Sequence, residues 1–193
     1  MTTPECFTPV PADQVAGIFG LHATLLLSAA AGGVDDVMTV SSACPLGHGT
    51  PFRLMSVIGK NHFTRGLIEK SRRFAMSVPT AAIAGPALKL GFIGLAKDPE
   101  KLAHCRAEIF RAAGYDVPLV AGSAAWAVFD LVDEPEMAGK HDILIGDCVA
   151  AWADPRIYEN GHWKLAGLPT AMKPLHYWEG MNFYVPGEAV TVK

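Results

Sequence analysis

Short apolar runs separated by glycine-rich or polar turns fill the first half of the chain. "HATLLLSAA" is an apolar run of strand length, "AGGVDD" follows as a turn in which Gly32 and Gly33 accept positive φ cheaply, and "VMTVSS" returns. A β-hairpin is expected there. Upstream, "PADQVAGIF", Pro11 to Phe19, sets Val15, Ile18 and Phe19 on one side of one or two helical turns. "FRLMSVI" alternates, with Arg53, Met55 and Val57 on one face and Phe52, Leu54, Ser56 and Ile58 on the other. "TRGLIEKSRR" shifts to a short helix with Leu67 and Ile68 inward and the charges outward. "FAMSVP" is a strand again, stopped by Pro79.

The pattern predicts its clearest helix over about Pro99 to Ala113. Asp98 suits the N-cap, Pro99 the first helical position and Gly114 the position just past the end, while Leu102, Ile109, Phe110 and Ala113 form the apolar stripe. "AAWAVFDLVDE" and "HDILIGDCVAAWA" read as long strands joined by "PEMAGK", a loop of hairpin length. The tail "PLHYWEGMNFYVPGE" is rich in aromatics and broken by glycines. Many strands, one good helix and a few short ones predict a mainly β barrel or sandwich with helical decoration. With no G-x-G-x-x-G on a strand-turn-helix unit, a Rossmann domain is not expected.

The 193 residues suit one domain or one domain with appendages, and half of them are hydrophobic, which argues against disorder and leaves apolar surface for a subunit interface. The formal net charge of −3 provides no basic face, so a nucleic-acid partner is not expected. The four cysteines, Cys6, Cys44, Cys105 and Cys148, are scattered, which excludes a zinc ribbon or a thioredoxin motif. Cys44 and His48 are too few for a metal site, and none is expected. "MTTPECFTPVPADQ" lacks the basic and apolar regions of a secretory signal, so a cytoplasmic protein with free thiols is expected. No run reaches the roughly 20 apolar residues of a membrane span, and no membrane association is expected.

Two clusters carry candidate chemistry. In "TVSSAC", Thr39, Ser41 and Ser42, followed by Ala43 and Cys44, put hydroxyls and open N–H groups at a strand end. These can cradle an anion or the edge of a flat heterocycle, or can be plain surface hydroxyls on a strand. In "GKNHFT", Lys60, Asn61, His62 and Thr64 precede a helix whose N-terminus, with the lysine, suits a phosphate; Asn61 or Thr64 equally suits the role of helix cap. Lys97 and Lys101 flank a further helix start, within reach of a phosphate or simply solvated. His141 opens an apolar strand, either against a nicotinamide or packed at a barrel rim. No G-x-S-x-G elbow is present, and His104 and Cys105, adjacent on a helix, point apart.

The order "MTVSSAC", "PFRLMSVI", "KNHFTRGLIEKSRRFAMSVP", "GLAKDPEKL", "GKHDILIGDCVA", "KPLHYWEGMNFYVPGE" resembles the flavin reductase-like family, which includes flavoredoxins, from Leu21 to Glu188. The resemblance implies an FMN-binding split β-barrel (a Greek-key barrel) and a homodimer. It divides the chain into an arm with a short helix over residues 1–20, the barrel domain over 21–175 and a C-terminal arm over 176–193. It implies that Thr39, Ser41, Ser42 and Ala43 lie against the flavin and that Lys60, Asn61 and Thr64 hold the phosphate. The strand Met76, Ser77, Val78 would face the ring, with Ser77 where family members usually carry asparagine. Lys101 survives from a longer family motif whose Ser-Gly is absent. His141 stands near the nicotinamide position, with Lys140 in place of the usual acid. The implied function is an FMN-dependent oxidoreductase passing hydride from NADH or NADPH to a small acceptor. The alternatives are a flavoredoxin-like carrier serving redox proteins, and a dimeric barrel that has lost its flavin.

Overall fold

The computed structural model describes residues 24–46, 51–159 and 162–188, with residues 190 and 192. The helical turns expected over Pro11 to Phe19, and His48, lie outside the described residues. Strands β1 (Leu25–Ala31) and β2 (Val34–Val40) form the expected hairpin, turning at Gly32 and Gly33, whose φ values are 60° and 79°. Then come β3 (Ala43–Pro45), β4 (Arg53–Val57), α1 (Phe63–Ser71), β5 (Arg73–Pro79), α2 (Ala84–Phe92) and α3 (Lys101–Cys105). The short pair β6 (Ile109–Phe110) and β7 (Leu119–Val120) leads to β8 (Ser123–Leu131), α4 (Pro135–His141) and β9 (Ile143–Ala153). Small hairpins close the chain: β10 (Tyr158–Glu159) with β11 (His162–Trp163), and β12 (His176–Glu179) with β13 (Asn182–Tyr184).

The main sheet has seven strands in the order β2-β1-β5-β8-β9-β4-β3. Laid flat, six spacings would separate its edges by roughly 29 Å. Yet β2 and β3 are opposite edges joined only through Ser41 and Ser42. Val40 and Ala43 are three Cα steps apart, about 11 Å at full extension. The sheet must therefore curl until its edges meet, and the serines sit at the seam.

Inside the curl lie Leu27, Met38, Leu54, Phe74, Phe129 and Leu144, with Leu67 and Ile68 of α1 packed against them. Each such aliphatic or aromatic side chain contributes about 1.5–3 kcal/mol when fully buried. Phe74 and Phe129 stack at 5.2 Å, and Gly146 leaves room for them: a Cβ there would stand 2.5 Å from the Phe74 ring. Outside, Leu26 and Val37 pack against Ala87 and Leu90 of α2 and Cys105 of α3. Being covered on both faces, β1 reads as an unbroken apolar run. β4 follows the alternation expected, with Leu54 and Ser56 buried.

Several expectations need correction. The helix expected over Pro99 to Ala113 is only the short α3. Arg106 ends it at φ 55°, and Ile109 and Phe110 pair with Val120 and Leu119 as strands. Long-range pairing thus takes over the residues that completed the helical stripe. "PEMAGK" is not a loop but most of α4, with Pro135 in the first turn, Glu136 early, and Lys140 and His141 late, all matching the helix dipole. His141 accordingly ends a helix instead of opening a strand. The charges of α1 do not all face outward, since Arg65 is 4% exposed. No element was expected where α2 forms.

Candidate functional site

The Ser42 carbonyl accepts the Val57 N–H at 2.9 Å, and Asp36 Oδ2 accepts the Thr64 hydroxyl at 2.6 Å. These bonds set residues 57–64 antiparallel to residues 36–42 across the seam. The two polar clusters therefore flank one feature, the serines at one end and the start of α1 toward the other. Ser41 and Ser42 are exposed. The Thr39 hydroxyl donates to the Ala87 carbonyl, and Thr39 and Ser41 line a cleft of about 160 Å³ with Gly91, Tyr177 and Phe183.

Ala43 and Cys44 line a second cleft of about 500 Å³, walled by Leu25, Val78, Ala125 and Trp163. Val78 and Trp163 also border a third, of about 820 Å³, that reaches His176, Trp178 and Tyr184. A nearly apolar trough thus leads away from the seam. His176 lies in it, and burial pushes its imidazole below the ordinary histidine value.

At the α1 end, Ile58 N–H donates to the Asp142 carbonyl at 2.8 Å, and Lys60 Nζ to the Gly139 carbonyl at 2.6 Å. Lys60, Asn61 and His62 are exposed. His62 is the N-cap residue in place of Asn61 or Thr64, and its side chain makes no cap bond to the first-turn N–H groups. This end therefore presents a lysine, an amide and uncapped helix N–H groups, a donor set suited to a phosphate.

Other expected site residues are not presented this way. Thr64 is buried and its hydroxyl is committed to Asp36. Lys101 is buried as well, with Nζ 2.9 Å from Asp36 Oδ1, so it cannot reach a ligand phosphate as expected. Ser77 is 0% exposed, and its Oγ accepts the Val120 N–H at 3.4 Å. Of its strand, Met76 lies in the core, while Val78 lines both apolar clefts. His141 is exposed at the end of α4 and borders neither of those clefts.

Sequence reasoning missed three contributors. Asp36 read as a turn residue, yet it anchors Thr64, Lys101 and the Val37 N–H. Arg65 donates to the Ile58 and Ala138 carbonyls and to Asp142, at 2.8, 2.9 and 2.8 Å, tying α1 to α4. Its signal was its place, two residues before the inward pair Leu67 and Ile68. Trp163 lies beyond the motifs and is placed by tertiary packing. Among the described residues no group of three or more His, Cys, Asp or Glu could hold a metal, and no helix is long and apolar enough to cross a membrane.

A curled sheet whose edge strands meet at a serine pair, beside an uncapped helix N-terminus, defines a split-barrel ligand-binding domain. Residues 21–184 match the model of the flavin reductase like domain, and the chain belongs to that family. A crystal structure of an FMN-binding domain of a flavin reductases-like enzyme from Shewanella baltica OS155 is 37% identical, covering 89% of each chain with a TM-score of 0.86. Flavoredoxin from Methanosarcina acetivorans shares the fold, with a TM-score of 0.76 at 15% identity over 96% of this chain and 95% of its own. The uncharacterized protein YddH of Escherichia coli (strain K12) is 26% identical over 157 residues, 81% of each chain.

Proposed function

We propose that this chain binds FMN along the seam and acts as an oxidoreductase, taking hydride from NADH or NADPH and passing electrons to a small acceptor. The observation that carries this reading is the antiparallel run of residues 57–64 against residues 36–42, fixed by the Ser42–Val57 and Asp36–Thr64 bonds. It sets a phosphate-type donor set and a hydroxyl-bearing strand end along one seam. Family membership and the FMN-binding relative from Shewanella baltica support it.

In this reading Lys60, Asn61 and the first N–H groups of α1 hold the phosphate. His62, beside them and exposed, offers a further hydrogen bond. Ser41, Ser42 and the backbone of Ala43 hydrogen-bond the polar edge of the ring, Cys44, whose backbone pairs with Met55, borders it by its side chain, and Val78 and Trp163 wall its apolar part. FMN supplies the hydride acceptor and electron store, so no side chain need act as acid or base. The wide trough past Trp163 admits an acceptor or the second copy of a homodimer.

Anaerobic mixing of the FMN-loaded protein with NADH or NADPH tests the activity. Loss of the oxidised flavin spectrum within minutes is expected. A spectrum that stays oxidised sinks the reductase reading and favours a flavoredoxin-like carrier. The exposed position of His141, outside the apolar clefts, is the observation on that side.

A further inference from the structure

We propose that Lys101 tunes the phosphate end of the seam without touching it, by cancelling the charge of Asp36 beneath the first turn of α1. This rests on the FMN reading above.

Both side chains of the pair are 2% exposed, and Lys101 Nζ lies 2.9 Å from Asp36 Oδ1. The other carboxylate oxygen takes the hydroxyl of Thr64, the second residue of α1, at 2.6 Å. A formal negative charge therefore sits at the positive end of that helix. An anion is stabilised there by the aligned N–H groups. Asp36 and an incoming phosphate would draw on the same positive end and repel each other. Lys101 arrives from α3, far along the chain, and removes that repulsion. Asp35 next door is balanced separately by Arg111 at 2.6 Å, so Lys101 is the cation assigned to Asp36. The pair thus keeps the helix end available for a ligand while leaving Asp36 to hold Thr64 and the Val37 N–H.

The test compares FMN with riboflavin, which has the same ring and no phosphate. Dissociation constants come from flavin fluorescence for the native protein and for K101M, D36N and D36N/K101M, with circular dichroism reporting folding. K101M is expected to weaken FMN by about tenfold at pH 8, the scale of one added charge near a partly exposed anion, and to leave riboflavin unchanged. D36N/K101M, neutral again, should return FMN to within about threefold of the native value. Equal losses for FMN and riboflavin, or a double variant as weak as K101M, would overturn the proposal. Should K101M not fold, D36N is set against the double variant. D36N carries the extra positive charge and should bind FMN more tightly, and equal affinities would overturn the proposal. A native protein that binds FMN no better than riboflavin overturns the phosphate site and this inference with it. A native preference for FMN with no response in the variants overturns the role of Lys101 alone.

Discussion

The Ser42 carbonyl and the Val57 N–H, 2.9 Å apart, extend the β3–β4 ladder by one rung, up to the residue that leads back to β2. Together with the Thr64–Asp36 bond, it lays the chain beyond β4 back along β2. Everything proposed for the site depends on that return path, because it brings Lys60 and Asn61 to the seam that Ser41 and Ser42 open.

Lys60 is the exposed cation at that end, with one of its three donors spent on the Gly139 carbonyl. Removing a charge-assisted contact costs about 1.5–3 kcal/mol. Lys60→Ala should therefore weaken FMN roughly ten- to a hundredfold in a fluorescence titration, with the melting temperature little changed. Unaltered affinity would remove Lys60 from the site.

Gly146 has no spare room. An added Cβ would lie 2.5 and 2.6 Å from Phe74 ring atoms and 2.8 Å from Phe129 Cβ, and those rings are stacked in the core. Gly146→Ala should destabilise the fold by about 1–3 kcal/mol, read as a lower urea midpoint at constant m. An unchanged midpoint would mean that the stack shifts freely.

Arg65 satisfies two carbonyls and Asp142 from a side chain only 5% exposed. Arg65→Met keeps the apolar stem and strands those acceptors. A loss of about 1–3 kcal/mol is expected, the cost of leaving the Ile58 and Ala138 carbonyls without their donor, since Asp142 is exposed enough to re-solvate. Amide exchange should rise first in α1 and α4; uniform acceleration throughout the chain would contradict a local tie.

His176 titrates below its ordinary value because burial disfavours the imidazolium. A folded-state pKa below the unfolded one means that the unfolded chain binds the proton more readily. The group then costs stability progressively as pH falls from about 6.5 toward the folded pKa, and nothing further below it. His176→Gln should flatten that part of the stability–pH curve. A curve unchanged by the substitution would show that His176 is as free to protonate in the fold as in the unfolded chain.

Local patterning made much of the frame legible. The Gly32–Gly33 turn, the alternation of β4 and the Leu67–Ile68 face of α1 are each decided by neighbours in sequence, and each was readable there. The stretch after Asp98 was not, because Ile109 and Phe110 satisfy a helical stripe and a strand equally and only Leu119 and Val120 decide between them. α4 was readable from Pro135, Glu136 and Lys140, but its brevity let it pass for a hairpin loop. At the site, Lys60 and Asn61 were visible as an exposed cluster before a helix. The commitment of Thr64 and Lys101 was not, since Asp36, which claims both, lies many residues away from each and looked like part of a turn.

Titrating the purified chain with FMN, following the visible flavin band and its fluorescence, tests the central claim most directly. Saturable binding of one FMN per chain, with a perturbed band and quenched emission, is the result expected. A flavin spectrum and emission identical to free FMN at saturating concentrations would contradict the seam as a flavin site.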